Sequence, residues 1–383
     1  IELMLAEGLK DGGELDEARE ILDKVVEGFG RRRSPERAQV HSMLGSVARA
    51  QGDLDSALEQ LEKATKMAMA DAKMLQMLAR LAVEAKELDR AEKAYRALLM
   101  TVRRRGPKDE VDVGSAEVLY ELSALAAARD DQDQASDLRE SALEAAAGDD
   151  AEAFRFREAL VERDERELAL VALEQRLKLA DDGESKGALL AAMGQDLAAL
   201  GRAQDAMNRR LESIEQAPAV AATHDAIQKM INEGHDADGY AATLEKLIEN
   251  HRREEDAKLQ ARMLVRLGEL RESRGDLDAA TSLYGRAESV TDEPVTAWVA
   301  LARVGAARDD QALQRRVLRE LINVEELREG LRANALHQLA AILLRDPAAL
   351  EEAVEIARMA FDADPRHMEL APHLDFAVSR SSG

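Results

Sequence analysis

Small and apolar residues return along the whole chain at the three- and four-residue steps of an α-helix, and each stripe gives way to a short polar turn. One phrase marks several turns: a small residue, an acid, a leucine, another acid, then alanine. It reads Gly13-Glu14-Leu15-Asp16-Glu17-Ala18, Gly52-Asp53-Leu54-Asp55-Ser56-Ala57 and Gly275-Asp276-Leu277-Asp278-Ala279-Ala280, with the variant Lys86-Glu87-Leu88-Asp89-Arg90-Ala91. Ala57 and Ala91 stand 34 residues apart. The turn acid is placed to cap the following helix, where free N–H groups and the helix dipole favour an anion. The pattern predicts about ten helix–turn–helix units, over 1–30, 38–71, 72–105, 116–149, 150–183, 187–220, 221–254, 261–294, 295–328 and 333–366. Roughly twenty antiparallel helices and no sheet are therefore expected, and because no unit can bury its apolar faces alone, the units must stack.

The fourth, fifth, seventh and ninth units carry the pattern least clearly. In the fifth, Phe156, Leu160, Ala169 and Leu173 keep the spacing, but the turn Arg163-Asp164-Glu165 has no glycine. In the seventh, Tyr240 stands where alanine belongs. The residues from Arg31 to Glu36 and from Gly106 to Val113 read as lengthened loops, so 1–383 reads as one continuous array. Its start at Ile1, with no initiator methionine, reads as a piece of a longer chain.

Within the units the residues resemble the tetratricopeptide repeat. That family places Trp, Leu, a small residue and an aromatic or Leu at repeat positions 4, 7, 8 and 11. It then places Ala, an aromatic and Ala at 20, 24 and 27, and Pro at 32. Leu44, Gly45, Gly52, Ala57, Leu61 and Ala64 match in the second unit, and Leu75, Leu78, Ala79, Ala91 and Tyr95 in the third. Leu267, Gly268, Gly275, Ala280, Tyr284 and Ala287 match in the eighth, and Trp298, Leu301 and Ala302 in the ninth. The tenth closes on Ala360-Phe361-Asp362-Ala363-Asp364-Pro365, and a C-terminal helix is expected after it. The resemblance implies an all-α, right-handed α-solenoid whose first helices line a concave surface that holds peptides or partner domains. It implies no catalysis and no cofactor. On this register Gly45, Ala57, Ala64, Ala79, Ala91, Gly268, Ala280 and Ala287 are expected to be buried.

Composition agrees with many thin helical layers. Hydrophobic residues make up 46% of the chain but aromatics only 3%, so volume is filled by alanine and leucine. The net charge of −23 repels phosphates and anionic membrane surfaces, which argues against nucleic acid as a partner. No apolar run reaches the roughly 18–20 residues of a membrane span, so direct membrane insertion is not expected and a cytoplasmic location is. Cysteine is absent, which excludes disulfides, thiolate metal sites and thiol catalysis.

The remaining chemistry is sparse. The seven histidines are scattered, and His41 and His337 occupy position 4 of their units, a packing position. His235-Asp236-Ala237-Asp238-Gly239 with Glu245 has part of a calcium-loop spacing, but Gly234 stands where the first carboxylate is required, so it reads as a turn. Paired acids such as Asp149-Asp150 and Asp309-Asp310 read as caps. No phosphate-binding glycine loop and no nucleophile–base pair is present.

The function expected is a non-enzymatic interaction scaffold for a peptide or partner domain. The alternatives are a structural subunit that self-assembles through its solenoid ends, and the regulatory array of a longer enzyme. Positions 2, 5, 9 and 12 of a first helix lie about 130° from its packing stripe. In the second unit these are Gln39, Ser42, Ser46 and Arg49, and in the third Lys73, Gln76, Arg80 and Val83. They form the candidate partner site, read as polar donors free of carboxylates and suited to an acidic segment or a chain terminus. The Arg31-Arg32-Arg33 and Arg103-Arg104-Arg105 runs are expected beside it, and a Leu3 and Leu5 stripe on the first helix is expected to be incompletely covered.

Overall fold

The computed structural model describes residues 2–30, 33–104, 113–253 and 256–364. Among these the chain forms twenty α-helices and one short 3-10 turn, with no strand. Backbone contacts divide it into two compact units, Ile1–Ala206 and Met207–Gly383. Unit 1 contains the hairpins α1 (Glu2–Asp11) and α2 (Leu15–Phe29), α3 (Pro35–Ala50) and α4 (Leu54–Met67), α5 (Ala72–Glu84) and α6 (Leu88–Arg104). It continues with α7 (Ser115–Ala128) and α8 (Gln132–Ala146), α9 (Asp150–Glu162) and α10 (Arg166–Leu179), and α11 (Gly183–Ala199). The division falls inside α12 (Ala203–Gln216). Unit 2 continues with α13 (Ala221–Asn232), α14 (Asp238–Arg253), α15 (Ala257–Ser273), α16 (Leu277–Val290), α17 (Val295–Ala307), α18 (Gln311–Ile322), α19 (Glu329–Leu343) and α20 (Leu350–Ala363). All ten predicted spans hold a hairpin, including the four weak ones. The fold is an all-α solenoid. The C-terminal helix expected after α20 lies outside the described residues, as do Arg31, Arg32 and Arg105.

The turns explain why the weak units still form. Most hairpins close through three residues, and the second of them adopts the left-handed conformation that ends a helix tightly. Gly52 and Gly275 serve at φ 80°. Asp130, Asp164 and Asp309 do the same at φ 62°, 62° and 55°, which an aspartate tolerates better than most residues. The next residue then caps the second helix: Asp53 accepts from the Ser56 N–H at 3.0 Å, Asp276 from Ala279 at 3.1 Å, Asp131 from Gln134 at 3.1 Å and Asp310 from Leu313 at 3.0 Å. An Asp-Asp pair thus supplies both functions without glycine. Lys86 is the turn residue least suited to its φ of 61°. Lys86→Gly is expected to raise unfolding stability by about 1 kcal/mol, read by chemical denaturation.

Packing follows the expected register. Ala57, Ala64, Ala79, Ala91, Ala280 and Ala287 are 0% exposed, and Gly45 and Gly268 are buried. A Cβ at Gly45 would lie 2.9 Å from Leu61 Cγ, so the missing side chain is what lets α3 and α4 meet this closely. Tyr240, at a position expected to hold alanine, is also buried, and its hydroxyl lies 2.9 Å from His224 Nδ1. On α1, Leu3 is half-buried and Leu5 is exposed, as expected for that stripe.

Consecutive hairpins are also tied by arginine–carboxylate pairs about one repeat apart in sequence. Arg303 Nε meets Glu272 Oε1 at 2.7 Å, Arg319 Nε meets Glu352 Oε1 at 2.9 Å, and Arg129 bonds both Asp89 and Glu92. One such link replaces a missing cap. Gly114 has no side chain to cap α7, and Glu152 of the next hairpin accepts from the Ala116 N–H at 2.6 Å and from Ser115 Oγ at 3.0 Å.

Candidate interaction groove

The first helices α3 and α5 of unit 1 bound a groove of about 580 Å³. Four of the predicted site residues, Ser46, Arg49, Gln76 and Arg80, line it together with Met77, Leu81 and Glu84. They converge because positions 9 and 12 of one first helix face positions 5 and 9 of the next. Gln39 and Lys73 are exposed near the other ends of their helices and do not line the groove. Ser42 points its hydroxyl at Met77 Sδ, 3.7 Å away, and Val83 is exposed outside the lining.

The expectation that these donors are free of carboxylates is corrected. Arg49 Nε donates to Glu84 Oε2 at 2.8 Å, and Arg80 Nη2 donates to Glu117 Oε1 at 3.2 Å. Both acids arrive from the following first helix: Glu84 stands one residue beyond the stripe of the third unit, and Glu117 is position 2 of the fourth, whose stripe was not among the two selected. Both groove guanidiniums are therefore paired with a carboxylate, and Lys10, itself paired with Asp11, adds a further cation to the lining. Glu117 is nearly buried, and burial pushes its carboxyl above the ordinary range despite the pull of Arg80. One turn along α7, Glu121 pairs with Arg163, whose guanidinium also lies over the Tyr120 ring. Breaking the two groove pairs is expected to have unequal effects. Arg49→Ala removes an exposed pair of small worth. Arg80→Ala leaves a buried acceptor without its donor and is expected to cost about 1–3 kcal/mol, checked by urea denaturation at neutral pH.

The same stripe positions in the eighth and ninth units select residues that the sequence reading did not single out. Arg262, Val265, Glu269, Thr296, Val299 and Arg303 all line a second groove, within unit 2. The available signal was positional: the rule applied to two units there extends to every readable one.

Two buried histidines stand in packing positions. His41 Nδ1 lies 2.8 Å from Gln60 Oε1, with Arg37, Lys63 and Asp23 as its charged neighbours. His224 is bonded at both nitrogens, to Tyr240 Oη at 2.9 Å and to the Pro218 carbonyl at 3.0 Å, with Arg266 and Asp225 nearby. Burial holds both imidazoles below their ordinary value of 6.5. The folded state thus binds protons less readily than the unfolded chain, so their stabilisation is complete above about pH 6.5 and is lost as pH falls below it. The melting temperature is expected to drop between pH 7 and pH 5.5, and the double change His41→Gln, His224→Phe is expected to flatten that slope. The calcium-like fragment is a turn: Asp236 accepts from the Asp238 N–H at 3.0 Å, and Asp238 pairs with Arg274 at 2.8 Å. Among the described residues no helix is long and apolar enough to cross a membrane.

Comparison with known families returns two tetratricopeptide-repeat models, over residues 1–70 and 42–110. No curated protein sequence matches the chain. Among solved structures, the chain is similar to the TPR domain of P58(IPK), at 17% identity over 99% of this chain and 96% of that one, with a TM-score of 0.30. It is similar to a tetratricopeptide repeat protein from Parabacteroides merdae, at 16% identity over 77% and 94%, with a TM-score of 0.33. Yeast Tom70 aligns at 13% identity over 100% and 88%, also with a TM-score of 0.33. Residues 1–110 thus match the tetratricopeptide repeat, and helical hairpins of the same kind recur in both units.

Proposed function

We propose that this protein-interaction scaffold holds a partner segment in the groove between α3 and α5, against Ser46, Arg49, Gln76 and Arg80. The observation that supports this reading is the convergence of four polar side chains from two first helices on one groove floored by Met77 and Leu81. With Arg49 and Arg80 opposed by Glu84 and Glu117, the groove suits a polar segment that carries both charges rather than a purely acidic one. Such a segment exchanges each internal ion pair for one with the ligand at little net electrostatic cost, whereas an acidic one must first displace two glutamates. The triple change Arg49→Ala, Arg80→Ala, Glu117→Gln removes the pairs without stranding a buried charge. It is expected to reduce partner capture at least tenfold while leaving the helical circular dichroism intact. Capture of the same partners at the same level contradicts the reading.

A second reading, self-association through an end helix, is favoured by one observation. Met4 and Leu5 are 77% and 53% exposed on α1, side by side. Leu5→Lys is expected to abolish any concentration-dependent association seen by sedimentation, and association unchanged by it contradicts the reading.

A further inference from the structure

Unit 2 carries a groove of different chemistry. It consists of two hollows of about 540 and 550 Å³ that share Val299, Arg303 and Leu331 and therefore run into one another. Its floor is aliphatic: Val265, Val299 and Ile342 lie along it, and Leu331 is 39% exposed there. On α19, Asn334 and Gln338 stand one turn apart, both exposed in the lining, and Gln338 Nε2 donates to Asn334 Oδ1, which leaves the Asn334 Nδ2 donor and the Gln338 Oε1 acceptor facing the groove. A primary amide offers a donor and an acceptor together, the same set that a peptide group presents.

The charge pattern runs against the rest of the chain. The protein carries a net charge of −23, yet among the described residues no acid lines the hollow between α17 and α19, and Glu269 is the one acid lining the other. Arg303 is held by Glu272 and Arg266 by Asp225 at 2.8 Å. Arg262 and Arg345 are exposed in the lining and make no ion pair among the described residues. Aliphatic floor, paired amides and two uncommitted guanidiniums lie along one groove.

We propose that this groove binds an extended segment of a partner protein in which aliphatic side chains alternate with aspartate or glutamate. The aliphatic side chains enter the floor, Asn334 and Gln338 bond the peptide groups, and Arg262 and Arg345 take the carboxylates. An extended ligand fits better than a helical one, because its open peptide groups meet the Asn334 Nδ2 donor and the Gln338 Oε1 acceptor that the bond between the two amides leaves over, whereas a helix has already satisfied its own. Nucleic acid fits poorly: among the described residues no Phe, Tyr or Trp lines either hollow to stack a base, His224 in the lining is buried, and the chain's net charge repels phosphate. The proposal rests on the reading of the chain as a scaffold, but not on the α3–α5 groove.

The test uses the full chain and a fluorescein-labelled dodecapeptide of alternating leucine and aspartate, followed by fluorescence anisotropy. The counterpart peptide has lysine in place of aspartate. The aspartate peptide is expected to bind at least tenfold more tightly than the lysine peptide. Its affinity is expected to fall at least tenfold in the Arg262→Glu, Arg345→Glu variant, whose exposed, unpaired positions leave folding intact, and severalfold in Asn334→Leu, Gln338→Leu. The unit 1 variant Ser46→Ala, Gln76→Ala is expected to change nothing. Equal binding of the two peptides, or no binding of either, overturns the proposal, as does full affinity in the arginine variant. Loss through the unit 1 variant alone places the peptide in the other groove. Displacement by a single-stranded oligonucleotide, or self-association that the arginine variant abolishes, assigns the groove to nucleic acid or to a second copy and equally overturns the proposal.

Discussion

Asp196→Ala is expected to lower unfolding stability by about 3–5 kcal/mol, the range for stranding a buried charge by removing its partner. Asp196 on α11 is 0% exposed. Its Oδ2 accepts from Arg157 Nε at 2.6 Å, its Oδ1 from Arg157 Nη2 at 2.8 Å and from Arg166 Nη1 at 3.1 Å. The carboxylate therefore joins α9, α10 and α11, with the bidentate geometry that makes an arginine–carboxylate pair strong. Alanine leaves two guanidiniums around an apolar gap, and the Arg157 side chain is only 12% exposed. Asp196→Asn keeps the shape and one acceptor and is expected to cost less. Guanidinium chloride denaturation measures both. A loss below about 1 kcal/mol for the alanine variant, typical of exposed pairs, shows that the cluster does not join the hairpins.

Gly268→Ala is expected to cost about 1–3 kcal/mol, although alanine is ordinarily the better helix former. A Cβ at Gly268 falls 2.3 Å from Tyr284 Cε1 and 2.7 Å from Cδ1. The ring has nowhere to move: Tyr284 is 0% exposed and its hydroxyl donates to Glu272 at 2.7 Å. Gly285 on α16 is the matching control, because a Cβ there meets nothing within 4 Å. Gly285→Ala is expected to stabilise by about 0.5–1 kcal/mol. Adding Tyr284→Leu to Gly268→Ala is expected to recover part of the loss, since the two residues share one space. Equal effects at positions 268 and 285 contradict the packing described for α15 against α16.

What the sequence disclosed was local. A turn needs one residue that accepts a left-handed backbone and one acid to cap the next helix, and both stand within six residues of the alanine that packs behind them. That is why Gly52-Asp53 and Gly275-Asp276 were legible, and why Asp130-Asp131 and Asp309-Asp310 close hairpins in units that otherwise carry the pattern poorly. The candidate groove was half legible for a related reason. Helical periodicity places Ser46, Arg49, Gln76 and Arg80 on their own helices, but it does not say which residues of the neighbouring helix face them. Glu84 lies 35 residues from Arg49, Glu117 lies 37 from Arg80, and Asp196 lies 39 from Arg157, and these separations are set by stacking between hairpins. Tyr240 shows the same limit. A tyrosine at a small-residue position reads as a slip of register, until His224 is seen to receive its hydroxyl.

Site-specific photocrosslinking tests the interaction groove most directly. A photoreactive residue is placed either at Gln76, in the lining between α3 and α5, or at Glu59, on the exposed face of α4. The account predicts a discrete crosslinked partner from position 76 that is absent from position 59 and is lost when Arg49→Ala, Arg80→Ala and Glu117→Gln are added. A partner crosslinked from position 59 and not from position 76 contradicts it.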